Sequence, residues 1–338
     1  MSDVKRALIV GAGAVGQVYA RHLQRAGLEV GLFVREKYAA DARAGLLMYP
    51  LNERRGTTAR LEADAVLTRI DEVAASRWDQ VWLCTSSTAL RAGTWLAELC
   101  EVLGEDTTLV GLQPGLESQS FLAERHPPER TVMGMIGFIS YQAPLPGHDQ
   151  PDPPGVAYWF PPLSPSPFSG PVERRDAVVA ALRKGGCPAK VTADATLPAA
   201  LGSAVLMPHL VALEACDWSL SGLSRSEHLK VASEGSRQAI EVVRREAGAK
   251  PPCLRYAVKP WVLRAILALG PHVVPLPLED YLRYHFTKVG DQTRFMMERY
   301  VEIGRGLEAP VDRLEALLAL LEPVGVETEA PSEAGAAV

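Results

Sequence analysis

An α/β chain, with a doubly wound parallel sheet followed by an all-helical domain, is predicted by three features of the sequence. Short apolar runs alternate with helix-forming stretches in the first half, a glycine cluster ends the first run, and the apolar spacing becomes helical almost throughout beyond residue 193.

The first run, Ala7-Leu8-Ile9-Val10, leads straight into Gly11-Ala12-Gly13-Ala14-Val15-Gly16. After a strand and before a helix, each glycine has its own task. Gly11 makes the tight turn, Gly13 lets the backbone approach a pyrophosphate, and Gly16 lets the helix pack on its strand. The N–H groups of Ala14, Val15 and Gly16 would then stand at a helix N-terminus, where the dipole favours anions. These residues predict a Rossmann-type dinucleotide site.

Residues 17–26 have helical composition, Gly27 stops that helix, and 28–34 form a second apolar run that completes a βαβ unit. The run ends Phe33-Val34-Arg35-Glu36-Lys37. An NAD site places an acid near this strand end for the ribose 2′-hydroxyl, whereas an NADP site places a cation there for the 2′-phosphate. Arg35, with Lys37 beside it, predicts NADP(H). Glu36 is the competing residue, because a strand ending one position later would make it an NAD-type acid.

Further strands are expected at 80–84, 108–112 and 132–139, with helices at 90–103 and 118–124. Ligands of such sheets bind beyond the carboxyl ends of the strands. That nominates Thr85 and Ser86 after one strand and Gln113, Pro114 and Gly115 after the next. Tyr141, near the mouth of the fifth strand, is a candidate substrate contact.

The segment 143–171 is rich in proline, which excludes helix. It reads as a flexible insertion or an irregular hairpin around 156–160, acting as a lid or as a passive excursion. A helix at 174–184 and a short strand at 190–192 close the first domain, 1–192. Helices at 198–217, 226–247, 261–269, 278–306 and 311–321 make the second, 193–321, and the tail 322–338 is expected to fray.

Composition narrows the functional classes. In 338 residues, 47% are hydrophobic and the net charge of -5 is spread without long runs, so a nucleic-acid or anionic-membrane partner is not expected. No uninterrupted apolar segment reaches the length of a membrane span and no secretory pattern opens the chain, so a cytoplasmic location is expected. The five cysteines are scattered and read as small hydrophobes or free thiols; with no histidine pair at ligand spacing, no metal site is expected.

The loop Gly11 to Gly16, the cation Arg35, the stretch Leu112-Gln113-Pro114-Gly115-Leu116, and the closing Tyr300-Val301 with Ala309-Pro310-Val311 before Leu314 resemble the ketopantoate reductase family, to about residue 321. The resemblance implies NADPH-dependent reduction of a 2-keto acid and a six-phosphogluconate-dehydrogenase-like helical domain. It also implies a homodimer joined through that domain, which the apolar stretch 261–269 permits. The family's reacting residues are mostly replaced. Pro114 stands where the family has Asn, Ser87 where it has a Lys, and Ala199, Ser203 and Met207 where it has the proton-donating Lys and two Asn. The family's later Ser and Glu fall near Thr287 and Thr293 or Arg294. A substrate other than ketopantoate is therefore expected, with Ser203 and Met207 among its contacts.

Hydride transfer to a carbonyl or imine still requires a proton donor. Tyr281, His285, Lys288 and Gln292 recur at helical spacing beside an apolar stripe of Leu282, Phe286, Val289, Met296 and Tyr300, predicting one continuous polar ridge. Two cations a turn apart lower each other's pKa. Lys288 or His285 is thus the expected acid, with Gln292 and Arg294 holding a polar or carboxylate group of the substrate. His209 is the other candidate donor, placed beside Pro208, which should kink the first helix of the second domain. A different class remains open: a catalytically inactive NADP(H)-binding sensor or scaffold, as joint loss of the family's Lys, Asn and Glu would produce.

Overall fold

A computed structural model describes residues 4–54, 56–113, 115 and 117–321. It divides into two compact units between Thr196 and Leu197.

Among the described residues the first unit contains twelve strands: β1 (Arg6–Val10), β2 (Glu29–Phe33), β3 (Leu46–Pro50), β4 (Ala59–Leu61), β5 (Ala65–Leu67), β6 (Gln80–Leu83), β7 (Thr108–Gly111), β8 (Thr131–Gly134), β9 (Ile139–Ala143), β10 (Gly155–Trp159), β11 (Ser166–Ser169) and β12 (Ala189–Val191). Eight form one sheet in the order β12-β11-β8-β7-β6-β1-β2-β5, parallel except where β11 meets β8. From β5 to β8 this is the 3-2-1-4-5-6 order of the doubly wound nucleotide-binding sheet, whose direction of winding reverses between β1 and β6.

Each strand of the sheet centre is apolar on both sides because both faces are covered. Ala7 and Ile9 of β1 join Val30, Leu32, Trp82 and Val110 in one core, whereas Leu8 and Val10 join Val81, Leu83 and Leu109 in the other. The helix Ala14–Arg25 covers the first face. Its Tyr19 packs on Trp82 with ring centroids 4.9 Å apart, and Trp82 meets Phe168 edge-on at 5.9 Å.

The strand expected at 132–139 is two strands in different sheets. β8 ends at Gly134, where an added Cβ would lie 2.4 Å from the Phe168 ring. The chain then leaves the main sheet, and β9 joins a four-stranded sheet of order β4-β3-β10-β9. Tyr141 therefore sits inside this second sheet, paired with Ala157 and 8% exposed, and not at the mouth of a fifth strand. The proline-rich segment is ordered into this framework, since it supplies β10 and β11 with buried side chains throughout most of both. Periodicity missed β3 and β4 because the first is uniformly apolar and ends in Pro50, and the second is three residues long. The helix expected at 90–103 is likewise two, Ser87–Arg91 and Trp95–Glu101, parted at Gly93 with φ +69°.

The second unit is helical: Thr196–Glu214, Leu220–Arg225, His228–Glu246, Leu254–Ala257, Pro260–Val273, Leu278–Lys288, Gly290–Gly306 and Asp312–Leu318. Close approach fixes its centre. A Cβ on Gly304 would stand 2.4 Å from Val311, and one on Gly235 would stand 2.8 Å from Leu317. The helix expected over 278–306 breaks at Val289, whose φ of -114° and ψ of 26° leave the helical region. One expectation about membranes also changes: Thr196–Glu214 is long and apolar enough to cross one, although 56% of its apolar window is buried inside the fold, as in a core helix. The tail 322–338 lies outside the described residues.

Candidate nucleotide-binding site

The site begins where β1 ends. Gly11 has φ +96°, a region that only glycine enters cheaply, and its N–H donates to the Phe33 carbonyl at 3.0 Å. A Cβ there would stand 3.0 Å from Thr85 Cγ2 and 3.1 Å from the Cys84 carbonyl oxygen, so the glycine loop lies against the loop after β6. Gly16 is tighter still. Its Cβ would fall 2.0 Å from the Gly11 carbonyl oxygen.

Gly13 is the N-cap of the helix Ala14–Arg25, with no side-chain cap and no acid in the first turn. The first amides of that helix consequently have no acceptor within it and are available to phosphate oxygens. Gln17, 4% exposed, donates its amide to the Ala12 carbonyl at 2.8 Å and holds the loop from beneath. Sequence reasoning passed over it; a polar residue on a buried helix face was the available signal.

Arg35 stands at the sheet's margin. β2 pairs through Phe33, Val34 N–H still donates to the Leu67 carbonyl at 2.9 Å, and Arg35 is the first residue beyond. Glu36 already belongs to the turn Glu36–Tyr38. Arg35 and Lys37 are both exposed and lie 5.7 and 5.1 Å from the centroid of the Tyr38 ring.

The loop after β6 lies against Gly11, and the loop after β7 is tied to it. Thr85 Oγ1 is buried with no hydrogen-bond partner. Ser86 caps the helix that follows, accepting from Ala89 N–H at 3.1 Å. Gln113 is 5% exposed, and its side chain is committed to the backbone: Nε2 donates to the Leu83 and Thr85 carbonyls, both at 2.9 Å, while Oε1 accepts from Leu112 N–H at 3.1 Å. It ties the two loops together. Gln113→Ala should leave these groups unsatisfied and cost roughly 3 kcal/mol, measurable as a lower urea midpoint together with weaker nucleotide binding. Gly115 follows with φ +124°, and Pro114 lies outside the described residues.

The unpartnered Thr85 hydroxyl and the uncapped helix, brought together by the close packing that Gly11 and Gly16 allow, fit a dinucleotide. Among the described residues, no group of three or more His, Cys, Asp or Glu is placed to hold a metal ion.

In the second unit the proposed ridge is divided. Tyr281, His285 and Lys288 share the helix Leu278–Lys288, while Gln292, Arg294 and Thr293 belong to Gly290–Gly306. Tyr281 is buried instead of Leu282, and His285 stacks on it at 5.4 Å. Burial, more than the Lys288 cation, lowers the His285 pKa to about 4. His285 is thus neutral near pH 7 and holds no imidazolium proton to give. Desolvation also lowers the Lys288 pKa, which favours release of its proton. His209 hydrogen-bonds the Val205 carbonyl through Nδ1 at 2.7 Å, leaving Nε2 buried without a partner, and burial lowers its pKa. Ser203 and Met207 are buried in the same helix, which continues through Pro208. Arg294 acts on Glu214, opposing the upward shift that burial gives that carboxyl. A cavity of about 480 Å³ among Leu220, Arg225, Leu267, Pro271 and Leu278 contains none of the nominated residues.

A doubly wound sheet with a glycine loop at its switch point, followed by a helical unit, defines the class as a Rossmann-type α/β chain. Residues 7–148 match the ketopantoate reductase PanE/ApbA family model. The chain is similar to a PanE/ApbA family ketopantoate reductase from Ralstonia eutropha JMP134, at 18% identity and a TM-score of 0.71 over 93% of this chain and 96% of the other. It is similar to D-mandelate dehydrogenase in ternary complex with NADH and anilino(oxo)acetate, at 15% identity and a TM-score of 0.71 over 93% and 96%. It is also similar to 2-dehydropantoate 2-reductase from Geobacter metallireducens GS-15, at 20% identity and a TM-score of 0.67 over 94% and 99%. These likenesses show a shared fold. No curated protein matches the chain significantly.

Proposed function

We propose that the chain is an NADPH-dependent oxidoreductase acting on a carbonyl or imine of a substrate other than ketopantoate. The observation that carries this reading is Arg35, the first residue past the pairing of β2, the strand whose Phe33 carbonyl accepts from Gly11 N–H. The bound nicotinamide supplies the hydride. The amides of Ala14, Val15 and Gly16 hold the pyrophosphate, and Arg35 with Lys37 holds the 2′-phosphate. Lys288 holds the proton on its Nζ, with a lowered pKa that suits its release. His285 packs on Tyr281 as a neutral ring.

Fluorescence titration with NADPH and NADH tests the reading. Arg35→Ala should weaken NADPH by about tenfold to a hundredfold through loss of charge-assisted bonds, and NADH hardly at all. Equal loss for both cofactors would defeat the NADP assignment, and no binding of either would remove the oxidoreductase altogether. A second reading, an inactive NADP(H)-binding sensor or scaffold, is favoured by the buried Ala199, Ser203 and Met207 at the positions of the family's Lys and Asn residues. Tight NADPH binding without turnover across a panel of keto acids, ketones and imines would select it.

A further inference from the structure

The chain after β2 turns back on itself at once. Tyr38 N–H donates to the Arg35 carbonyl at 2.9 Å, closing the turn Glu36–Tyr38, and the helix Ala39–Ala44 follows directly. In a turn of this kind, side chains three residues apart lie one above the other. The Tyr38 ring accordingly comes back to the Arg35 guanidinium at 5.7 Å from its centroid, and the Lys37 ammonium lies 5.1 Å from the same centroid. Both distances are within the reach of cation–π attraction, about 6 Å. The ring itself is anchored. Tyr38 is half-buried and packs on the core of the first sheet face, whose margin also includes Ala12, Ala14 and Val15 of the glycine loop. Its Oη is buried without a hydrogen-bond partner, so the side chain is held by its ring and not by its hydroxyl.

We propose that Tyr38 is a positioning residue for cofactor selection: its ring holds Arg35 and Lys37 at the end of β2, so that both cations meet the 2′-phosphate of NADPH already oriented. The inference rests on the NADPH reading above and adds the element that turns two exposed side chains into a site. An exposed Arg or Lys loses much of its rotamer freedom when it grips a ligand, and that ordering subtracts from affinity. Held on an aromatic ring, the same side chains are ordered before the cofactor arrives. The ring brings no such gain to NADH, which has no 2′-phosphate for the cations to meet. Tyr38 therefore bears on the choice between the two cofactors, and the glycine loop on the affinity for both.

The test measures dissociation constants for NADPH and NADH by isothermal titration of the full-length protein. Tyr38→Leu, which keeps an apolar side chain on the core and removes the ring, should weaken NADPH about fivefold to tenfold and NADH by less than about twofold. Tyr38→Phe should bind both as the wild type does, since it keeps the ring and breaks no hydrogen bond. In protein carrying Arg35→Ala with Lys37→Ala, adding Tyr38→Leu should change the NADPH affinity no further. Should Tyr38→Leu not fold, Tyr38→Met, unbranched and also without a ring, takes its place. Equal losses for the two cofactors, no loss for NADPH, or a further loss in the doubly substituted background would each overturn the proposal. So would a Tyr38→Phe protein as weak as Tyr38→Leu. Arg35→Ala separates this inference from the reading beneath it. If Arg35→Ala lowers the preference for NADPH and Tyr38→Leu does not, the NADPH reading stands and the role of Tyr38 falls. If Arg35→Ala leaves the preference unchanged, the reading itself falls and takes the inference with it.

Discussion

Gly16→Ala is expected to cost nucleotide affinity on the order of a hundredfold, because two amide hydrogen bonds to phosphate, each contributing about 1.5 kcal/mol or more, would be displaced. The added methyl would fall 2.0 Å from the Gly11 carbonyl oxygen, an atom of the backbone that no rotamer change can move. Either the helix Ala14–Arg25 lifts off the loop or the loop shifts towards Thr85, which already stands 3.0 Å from where a Cβ on Gly11 would lie. Overpacking of this kind also destabilises by roughly 1–3 kcal/mol. Isothermal titration with NADPH and a urea transition, measured on the same protein, separate the two effects. Unchanged affinity in a folded Gly16→Ala protein would mean that the glycine loop does not bind the pyrophosphate.

Acid should weaken the first unit well before its carboxylates protonate. Burial lowers the pKa of His22 from 6.5 to about 4, against the Gly185 carbonyl that accepts from its ring at 2.8 Å. Burial likewise lowers that of His126 to about 4, helped by Arg130 and Arg174. In the unfolded chain both rings take a proton near the ordinary value, whereas in the folded chain they resist until about pH 4. The stability they contribute is therefore complete above about pH 6.5 and is lost as pH falls through the window down to 4, at up to roughly 3 kcal/mol per histidine. Calorimetry at pH 7 and pH 4.5 checks the direction. His22→Gln, which retains a donor for Gly185, should reduce the drop in melting temperature between those two values. An identical drop in wild type and variant would show that His22 does not govern the acid response.

The sequence by itself determined the βαβ opening, the glycine loop, the cation after β2 and the helical character of the second unit. Those features are local. A turn needing φ +96° at Gly11 and an apolar run ending at Arg35 are written in consecutive residues, and their physical causes act over one strand and one turn. Only the tertiary structure decided that β3, β4, β9 and β10 form a second sheet, because pairing between Val156 and Met48 joins residues far apart in sequence. It also decided that Gln113 spends its side chain binding two loops together, and that Val289 ends one helix and divides the ridge into two. The lowered pKa of His285 belongs with these tertiary decisions. Spacing reveals the neighbouring Lys288, but the larger cause is burial, and burial is set by everything that packs around the ring.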